Sequence, residues 1–307
     1  MLVILSLVEY AAAIAFAIAQ SALFGFSKIF TRKGLFLSSP ALGAFYALLP
    51  AVVILFFGVV ATGGLGALGK INIFIPSVFL LVTLCALTNM NLGRVLLYES
   101  IRSLGAARAG QLIASQLIFA SLFAALLLGE SLTLPITGGT LLIFAGIFTV
   151  ALTGYDLRHK PPGYNFRRGT ITGIATGIVW GYAFIITKEL LAVYDAMTAS
   201  FITILFAAVY QGIFVLVRVR PVRRIIPERK AMVYFLITGI LTSFAFYAFL
   251  VALSLGPIVI VAPFASLAPI FTAVVSYLFI QKIEFVDRRL LLASVVVIIG
   301  SIVIVMG

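Results

Sequence analysis

Phe24-Gly25-Phe26-Ser27-Lys28-Ile29-Phe30-Thr31-Arg32 and Trp180-Gly181-Tyr182-Ala183-Phe184-Ile185-Ile186-Thr187-Lys188 repeat one pattern, an aromatic–glycine pair followed two helical turns later by a cation. The pattern has company. Leu104-Gly105 followed by Ala114-Ser115 recurs as Leu255-Gly256 followed by Ala265-Ser266. Both sets lie within long apolar runs, so the chain is a duplicated hydrophobic unit, and its architecture has to be read one copy at a time.

Crossing a bilayer takes about 20 mostly apolar residues. Charge, Pro and Gly punctuation divides the chain into ten such spans, at 7–30, 40–61, 76–101, 107–128, 134–153, 169–190, 197–217, 231–253, 258–280 and 288–306. Helices are expected, because hydrocarbon satisfies no backbone polar group and each segment must do so internally. A β-barrel would instead alternate polar and apolar residues in short segments. The expected fold class is therefore an all-α integral membrane protein of ten transmembrane helices. Residues 1–155 form the first five-helix repeat and 169–307 the second, joined by a basic linker at 156–168. Five spans per copy is odd, so the second copy inserts upside down. Inverted repeats of this kind enclose a central cavity near the bilayer midplane in secondary transporters.

Composition agrees. Of 307 residues, 63% are hydrophobic and 10% charged, against about 25% charged in an ordinary soluble domain. The single cysteine, Cys85, excludes an internal disulfide and a cysteine-cluster metal site. The single histidine, His159, reads as a solvated loop residue beside Lys160-Pro161-Pro162. Met1-Leu2-Val3-Ile4-Leu5 lacks the positive region of a signal peptide and reads as the approach to the first span. Lys and Arg gather at one face, from Arg32-Lys33, Arg102 and Arg108 through 158–168, 218–230 and 282–289, while Lys70 and Lys188 fall on the other. That bias places the basic face in the cytoplasm and both termini outside. The net charge of +12 then serves topology and contact with anionic lipid headgroups, and nucleic acid is not an expected partner.

The ordered motifs resemble those of the drug/metabolite transporter superfamily, in particular its EamA-type ten-span members. The resemblance rests on Trp180-Gly181 with Lys188, on the variant Phe24-Gly25 with Arg32, and on the third-span stretches 97–102 and 246–253. Pro269 and Gly129-Glu130 add to it, while Ile118 and Ile280-Gln281 depart from it at the equivalent places. It covers essentially the whole chain. It implies a cavity lined by spans 1, 3, 4, 6, 8 and 9, and hence Gln20, Tyr98, Gln111, Ser115, Trp180, Tyr182, Tyr247 and Ser266 as substrate-binding candidates. It also implies cytoplasmic termini, opposite to what the charge count implies.

Ionisable residues within hydrocarbon are costly and mark function by default. Arg94 on the third span is either an anion clamp in the cavity or a structural cation, snorkelling to the surface or paired with Glu99. Glu99 is either a proton-coupling residue or the i,i+3 partner of Arg102. Lys28, one turn inside Arg32, is expected to snorkel. The second copy has Phe184, Ala245 and Leu250 opposite Lys28, Arg94 and Glu99, so the binding chemistry should be asymmetric. Asn89 and Asn91 cannot share a helical face, and at least one is expected to bind a neighbouring helix. Gly25 and Gly181 are hinge or packing candidates, and Pro257, Pro263 and Pro269 are candidates for kinks that bare a backbone carbonyl.

No phosphate-binding loop, His-Glu metal motif or Ser-His-Asp set is present, and no enzyme activity, cofactor or metal is expected. The leading expectation is a secondary transporter of a small metabolite such as an amino or organic acid, an exporter using proton coupling or exchange. A flippase for a lipid-linked or nucleotide-linked intermediate and a non-transporting scaffold are the alternatives. A monomer suffices, because the duplication already supplies both halves, and a dimer stays open.

Overall fold

The computed structural model describes residues 10–64, 66, 75–128, 133–152, 164–218, 226–265, 267–279, 292, 295–296, 299–300 and 302–303. No strand occurs among them. In chain order the elements are α1 (Ala11–Leu35), α2 (Pro40–Ala61), α3 (Pro76–Cys85), a π-helical segment π1 (Ala86–Leu92), α4 (Gly93–Leu104), α5 (Ala106–Ile113) and α6 (Gln116–Leu128). They continue with α7 (Leu134–Leu152), α8 (Phe166–Val193), α9 (Ala196–Arg218), α10 (Arg229–Leu255), α11 (Ile258–Ala265) and α12 (Ala268–Phe279). Among the described residues, seven rods are long and apolar enough to cross a membrane: α1, α2, α3–π1–α4, α5–α6, α8, α9 and α10. Helix α7 and the pair α11–α12 lie where the fifth and ninth spans were expected. The tenth, expected at 288–306, falls almost wholly outside the described residues.

Local chemistry explains the boundaries. The side chain of Ser39 accepts from Leu42 N ahead of Pro40, and that of Asn165 accepts from Arg168 N at 3.0 Å, so α2 and α8 each open on an N-cap. The first span was expected to stop at residue 30, before Arg32-Lys33. It runs instead to Leu35, because Arg32 finds carbonyl partners inside the bundle and does not need water. The ninth span was expected to be continuous, but α11 ends at Ala265 and α12 begins at Ala268. The fourth breaks likewise between Ile113 and Gln116, next to the equivalent Ala-Ser pair.

Packing follows the duplication. Helix α1 lies along α10 and α12, while α8 lies along α4 and α6, which are the same contacts with the halves exchanged. Helices α2 and α9, the second spans of the two halves, pack on each other. One end of the bundle gathers the end of α1, the end of α4 and the start of α8, through Arg32 to Arg102 O, Asn165 N to Ser103 O, and Arg168 to Glu99. At the other end Lys188, late in α8, reaches Gly256, which sits against Ala13 and Tyr10 at the start of α1. Helices α1 and α8 therefore run in opposite directions. Leu48, Val82, Leu190, Ile204 and Leu253 are among the core residues between the rods, and Phe57, Leu126, Leu141 and Leu216 are exposed on the outside.

Gly25 and Gly181 are points of close helix crossing. A Cβ on Gly25 would lie 2.6 Å from Phe271 Cβ, and one on Gly181 would lie 2.6 Å from Phe119 Cβ and 2.8 Å from Ala120 N. Small residues permit such approach between membrane helices. Gly181→Val is expected to destabilise the fold by about 1–3 kcal/mol through overpacking, read as a lower thermal unfolding midpoint.

Candidate substrate cavity

The segment Ala86-Leu87-Thr88-Asn89-Met90-Asn91-Leu92 widens to a π-helix, a deformation common at functional sites. Its two asparagines face different neighbours, as their two-residue spacing requires. Asn89 Nδ2 donates to Thr187 Oγ1 of α8 at 3.1 Å, and Asn91 Nδ2 donates to Ala207 O of α9 at 2.9 Å. The Asn89 carbonyl accepts from Trp180 Nε1 at 3.1 Å. Gly93 gives the indole its room, since any Cβ there would collide with Trp180 Nε1. The indole also packs against Phe24, with ring centroids 5.5 Å apart.

Beside this junction lies a cavity of about 750 Å³, part of it open to solvent. From the first half it is lined by Gln20, Phe24 and Lys28 of α1, Asn89 and Met90 of π1, Arg94 of α4, Gly110, Ile113 and Ala114 around the α5 break, and Gln116 of α6. From the second half come Trp180 and Phe184 of α8, Thr242, Ala245, Phe246 and Phe249 of α10, and Ala265, Ala268 and Pro269 around the α11–α12 break. Phe184 and Ala245, the counterparts of Lys28 and Arg94, thus face the same space as the cations they replace.

Two cations look into the cavity. Arg94 is 4% exposed; its Nη2 sits 2.8 Å from Met90 Sδ, and its Nη1 has no hydrogen-bond partner among the described residues. Lys28 is 1% exposed, with Nζ 4.7 Å from the centroid of the Phe24 ring. No aspartate or glutamate is among the described lining residues. The expectation that Lys28 snorkels is corrected: α1 continues past it and the Arg32 contacts close that end, so its ammonium turns to the cavity. Arg94 neither snorkels nor pairs with Glu99. Glu99 Oε1 instead meets Arg168 Nε at 2.8 Å, so the i,i+3 pairing with Arg102 gives way to a pair between α4 and α8.

Of the expected binding residues, Arg94, Gln20 and Trp180 line the cavity, and so does Pro269. Tyr98 is not among the lining residues; it is buried in a cluster with Leu35, Leu97, Ile101 and Phe235, one turn from Arg94 on α4. Gln111 is buried in α5, and Ser115 Oγ donates to Leu112 O at 2.7 Å within the helix break. Tyr182 packs edge-on against Phe123, and Tyr247 packs against the core cluster. Ser266 lies outside the described residues. Pro257 precedes α11 and Pro269 stands in the first turn of α12, so both start helices where kinks were expected. Pro263 is within α11. Lys28 was singled out from the sequence but read as snorkelling, and Phe184 was noted only as its counterpart; Phe246 and Phe249 were not picked out, since nothing in their spacing marks them.

The cations of the two signature motifs serve a different purpose. Arg32, 1% exposed, donates through Nη1 to Ile101 O and Arg102 O, each at 2.7 Å, and stacks 4.4 Å from the Phe36 ring centroid. Lys188 Nζ donates to Leu253 O and, at 3.0 Å, to Gly256 O. In each half, therefore, the first helix holds the last carbonyls of the third. Those carbonyls lie at its negative dipole end, and Ile101 O also accepts from Gly105 N at 2.9 Å.

A family model described as the EamA-like transporter family matches residues 11–152 and again 167–306. Among curated proteins none matches significantly. One solved crystal structure, among 26 matching chains, superposes with a TM-score of 0.67 over 95% of this chain and 96% of its own, at 16% identity, a likeness of fold alone. The family model accounts for both halves, and the apolar rods agree with it: the chain is a multi-pass membrane protein belonging to the EamA-like transporter family.

Proposed function

We propose that the protein is a secondary carrier that moves a small organic anion across the cell membrane by alternating access, as an exporter driven by exchange or by protons. The observation that carries this reading is the pair of buried cations, Lys28 and Arg94, at one cavity with no carboxylate among its described lining residues. A buried charge without a counter-charge costs several kcal/mol. An anionic substrate supplies the missing charge, and a guanidinium can grip a carboxylate through two parallel N–H donors.

In this reading the halves are inverted repeats rocking about the cavity. The Arg32 and Lys188 clasps stand at opposite ends and hold first and third helices together on either side of the substrate. The end bearing Arg32, Arg102 and Arg168 faces the cytoplasm and its anionic headgroups, with both termini outside.

The test is counterflow into proteoliposomes preloaded with unlabelled organic acid. Uptake of labelled acid by the wild type, and loss of uptake in Lys28→Met, is expected. Equal uptake by Lys28→Met and wild type would remove the anion-cavity reading. Because Arg168 is largely exposed, its pair with Glu99 is worth less than about 1 kcal/mol. Glu99→Gln is therefore expected to leave the unfolding midpoint nearly unchanged, and the pH profile of its uptake shows whether protons couple there: a profile flattened relative to wild type assigns coupling to Glu99.

A further inference from the structure

We infer that the substrate is an amphipathic anion without an ammonium group, its oxyanion head held by Lys28 and Arg94 of the first half and its apolar body resting on Trp180, Phe184 and Phe249 of the second. The inference rests on the carrier reading above and narrows it from organic and amino acids in general to acids of one shape and charge.

The partition of chemistry between the halves carries it. Both cavity cations belong to α1 and α4, and their counterparts in α8 and α10 are Phe184 and Ala245. Phe184 meets Phe249 edge to face, with centroids 5.1 Å apart, and Phe246 lies beside Phe249 at 6.4 Å. The first half thus brings both cations to the cavity, beside Phe24, and the second half brings most of its aromatic wall. A ligand that satisfies both has a charged head and an apolar body. An inorganic oxyanion reaches only the cations, and a neutral hydrocarbon only the wall.

An amino acid fits poorly for a separate reason. The described lining supplies no acid to balance its ammonium, and the aromatic faces that could receive a cation are taken up by the apolar body in this arrangement. The Asn89 carbonyl is occupied by Trp180. The remaining acceptors, such as the Gln20 amide, are neutral and offer an ammonium no counter-charge. An ammonium there would stand beside two like charges in a medium that screens them weakly. A head on one half and a body on the other also makes the bound molecule a bridge, so occupancy favours the arrangement in which the halves close on it.

Trp180 is the only tryptophan of the chain and forms part of the wall, so its emission reports occupancy without a label. The full-length protein in detergent is titrated with cyclohexylacetate, cyclohexyl phosphate, 2-cyclohexylglycine, acetate and cyclohexylmethanol, none of which absorbs where Trp180 is excited. Thermal unfolding on the same samples is the second readout. Saturable binding of cyclohexylacetate or cyclohexyl phosphate is expected, with the first or second naming carboxylate or phosphate as the head. Binding of 2-cyclohexylglycine, which differs from cyclohexylacetate only by the ammonium, is expected to be at least tenfold weaker, as are acetate and cyclohexylmethanol. Phe249→Ala should weaken cyclohexylacetate while leaving acetate unchanged. If 2-cyclohexylglycine binds as tightly as cyclohexylacetate, or acetate does, the inference is overturned while an anion carrier survives. If Lys28→Met and Arg94→Met bind every compound as the wild type does, the carrier reading itself falls.

Discussion

Arg94→Met is expected to raise the thermal unfolding midpoint of the empty protein while lowering anion uptake by at least a hundredfold. The two effects share one cause. Arg94 is buried at the cavity with Nη1 lacking a hydrogen-bond partner among the described residues, and its Nη2 donates to the sulfur of Met90, a weak acceptor. Replacing buried charges with apolar side chains of similar volume is often neutral or stabilising by about 1–4 kcal/mol. A gain near the low end of that range is expected here, because the open part of the cavity lets water reach the site. Uptake falls because the substrate loses the planar fork that grips its head, and two charge-assisted hydrogen bonds at about 1.5 kcal/mol each already correspond to more than a hundredfold. Thermal unfolding in detergent and proteoliposome uptake, run on one preparation, check both. A midpoint that drops by several degrees would mean that Arg94 holds the helices together and that its exposure to the cavity is incidental.

Arg32→Met should act in the opposite direction, with a loss of about 3 kcal/mol or more. Arg32 is buried as deeply as Lys28, yet its Nη1 is hydrogen-bonded to two carbonyls at 2.7 Å. Removing it forfeits two hydrogen bonds to a charged donor, each worth about 1.5–3 kcal/mol, and takes a partner from Ile101 O and from Arg102 O. Arg32→Lys is expected to recover part of the loss, since Lys188 makes the equivalent contacts at the other end. Lys188→Met should cost less than Arg32→Met, because that clasp is only partly buried. The contrast is the informative result. Two buried arginines of similar exposure are predicted to differ in the sign of their effect on stability, because one donates to carbonyls at a helix end and the other reaches only a thioether sulfur. Equal destabilisation by both variants would erase the distinction between clasp and substrate cation.

The duplication and the seven rods long and apolar enough to cross a membrane among the described residues were legible from composition and spacing, because a membrane helix needs only length and apolarity to be recognised. Arg94, Gln20 and Trp180 were legible because they are polar or unusual where hydrocarbon penalises them. Lys28 was misread for a physical reason. Distance from the end of a span says how far a lysine would have to reach, and it does not say what closes that end. Arg32 closes it, through carbonyls about 70 positions away in the chain. Glu99 was likewise paired with a neighbour on its own helix because i,i+3 spacing is visible in a sequence. Its partner, Arg168, lies at the start of a different helix.

Tyr98, Gln111, Ser115, Tyr182 and Tyr247 show the complementary limit. All five stand on the expected helices and carry the right kind of atoms, but a helix has more than one face. Which face meets the cavity depends on how α4, α5, α8 and α10 are turned about their axes. The turn at α4 is set partly by the π-helical segment before it, which shifts the facing of every residue that follows and has no periodic signature. By itself, then, the sequence determined a duplicated all-helical membrane protein with its cavity charges confined to the first half, since length, apolarity and repeat register are properties of the chain alone. The tertiary structure alone decided that Lys28 and Arg94 share one cavity while Arg32 and Lys188 lock helix ends, because a cation's role depends on which carbonyls the other helices bring within 3 Å of it.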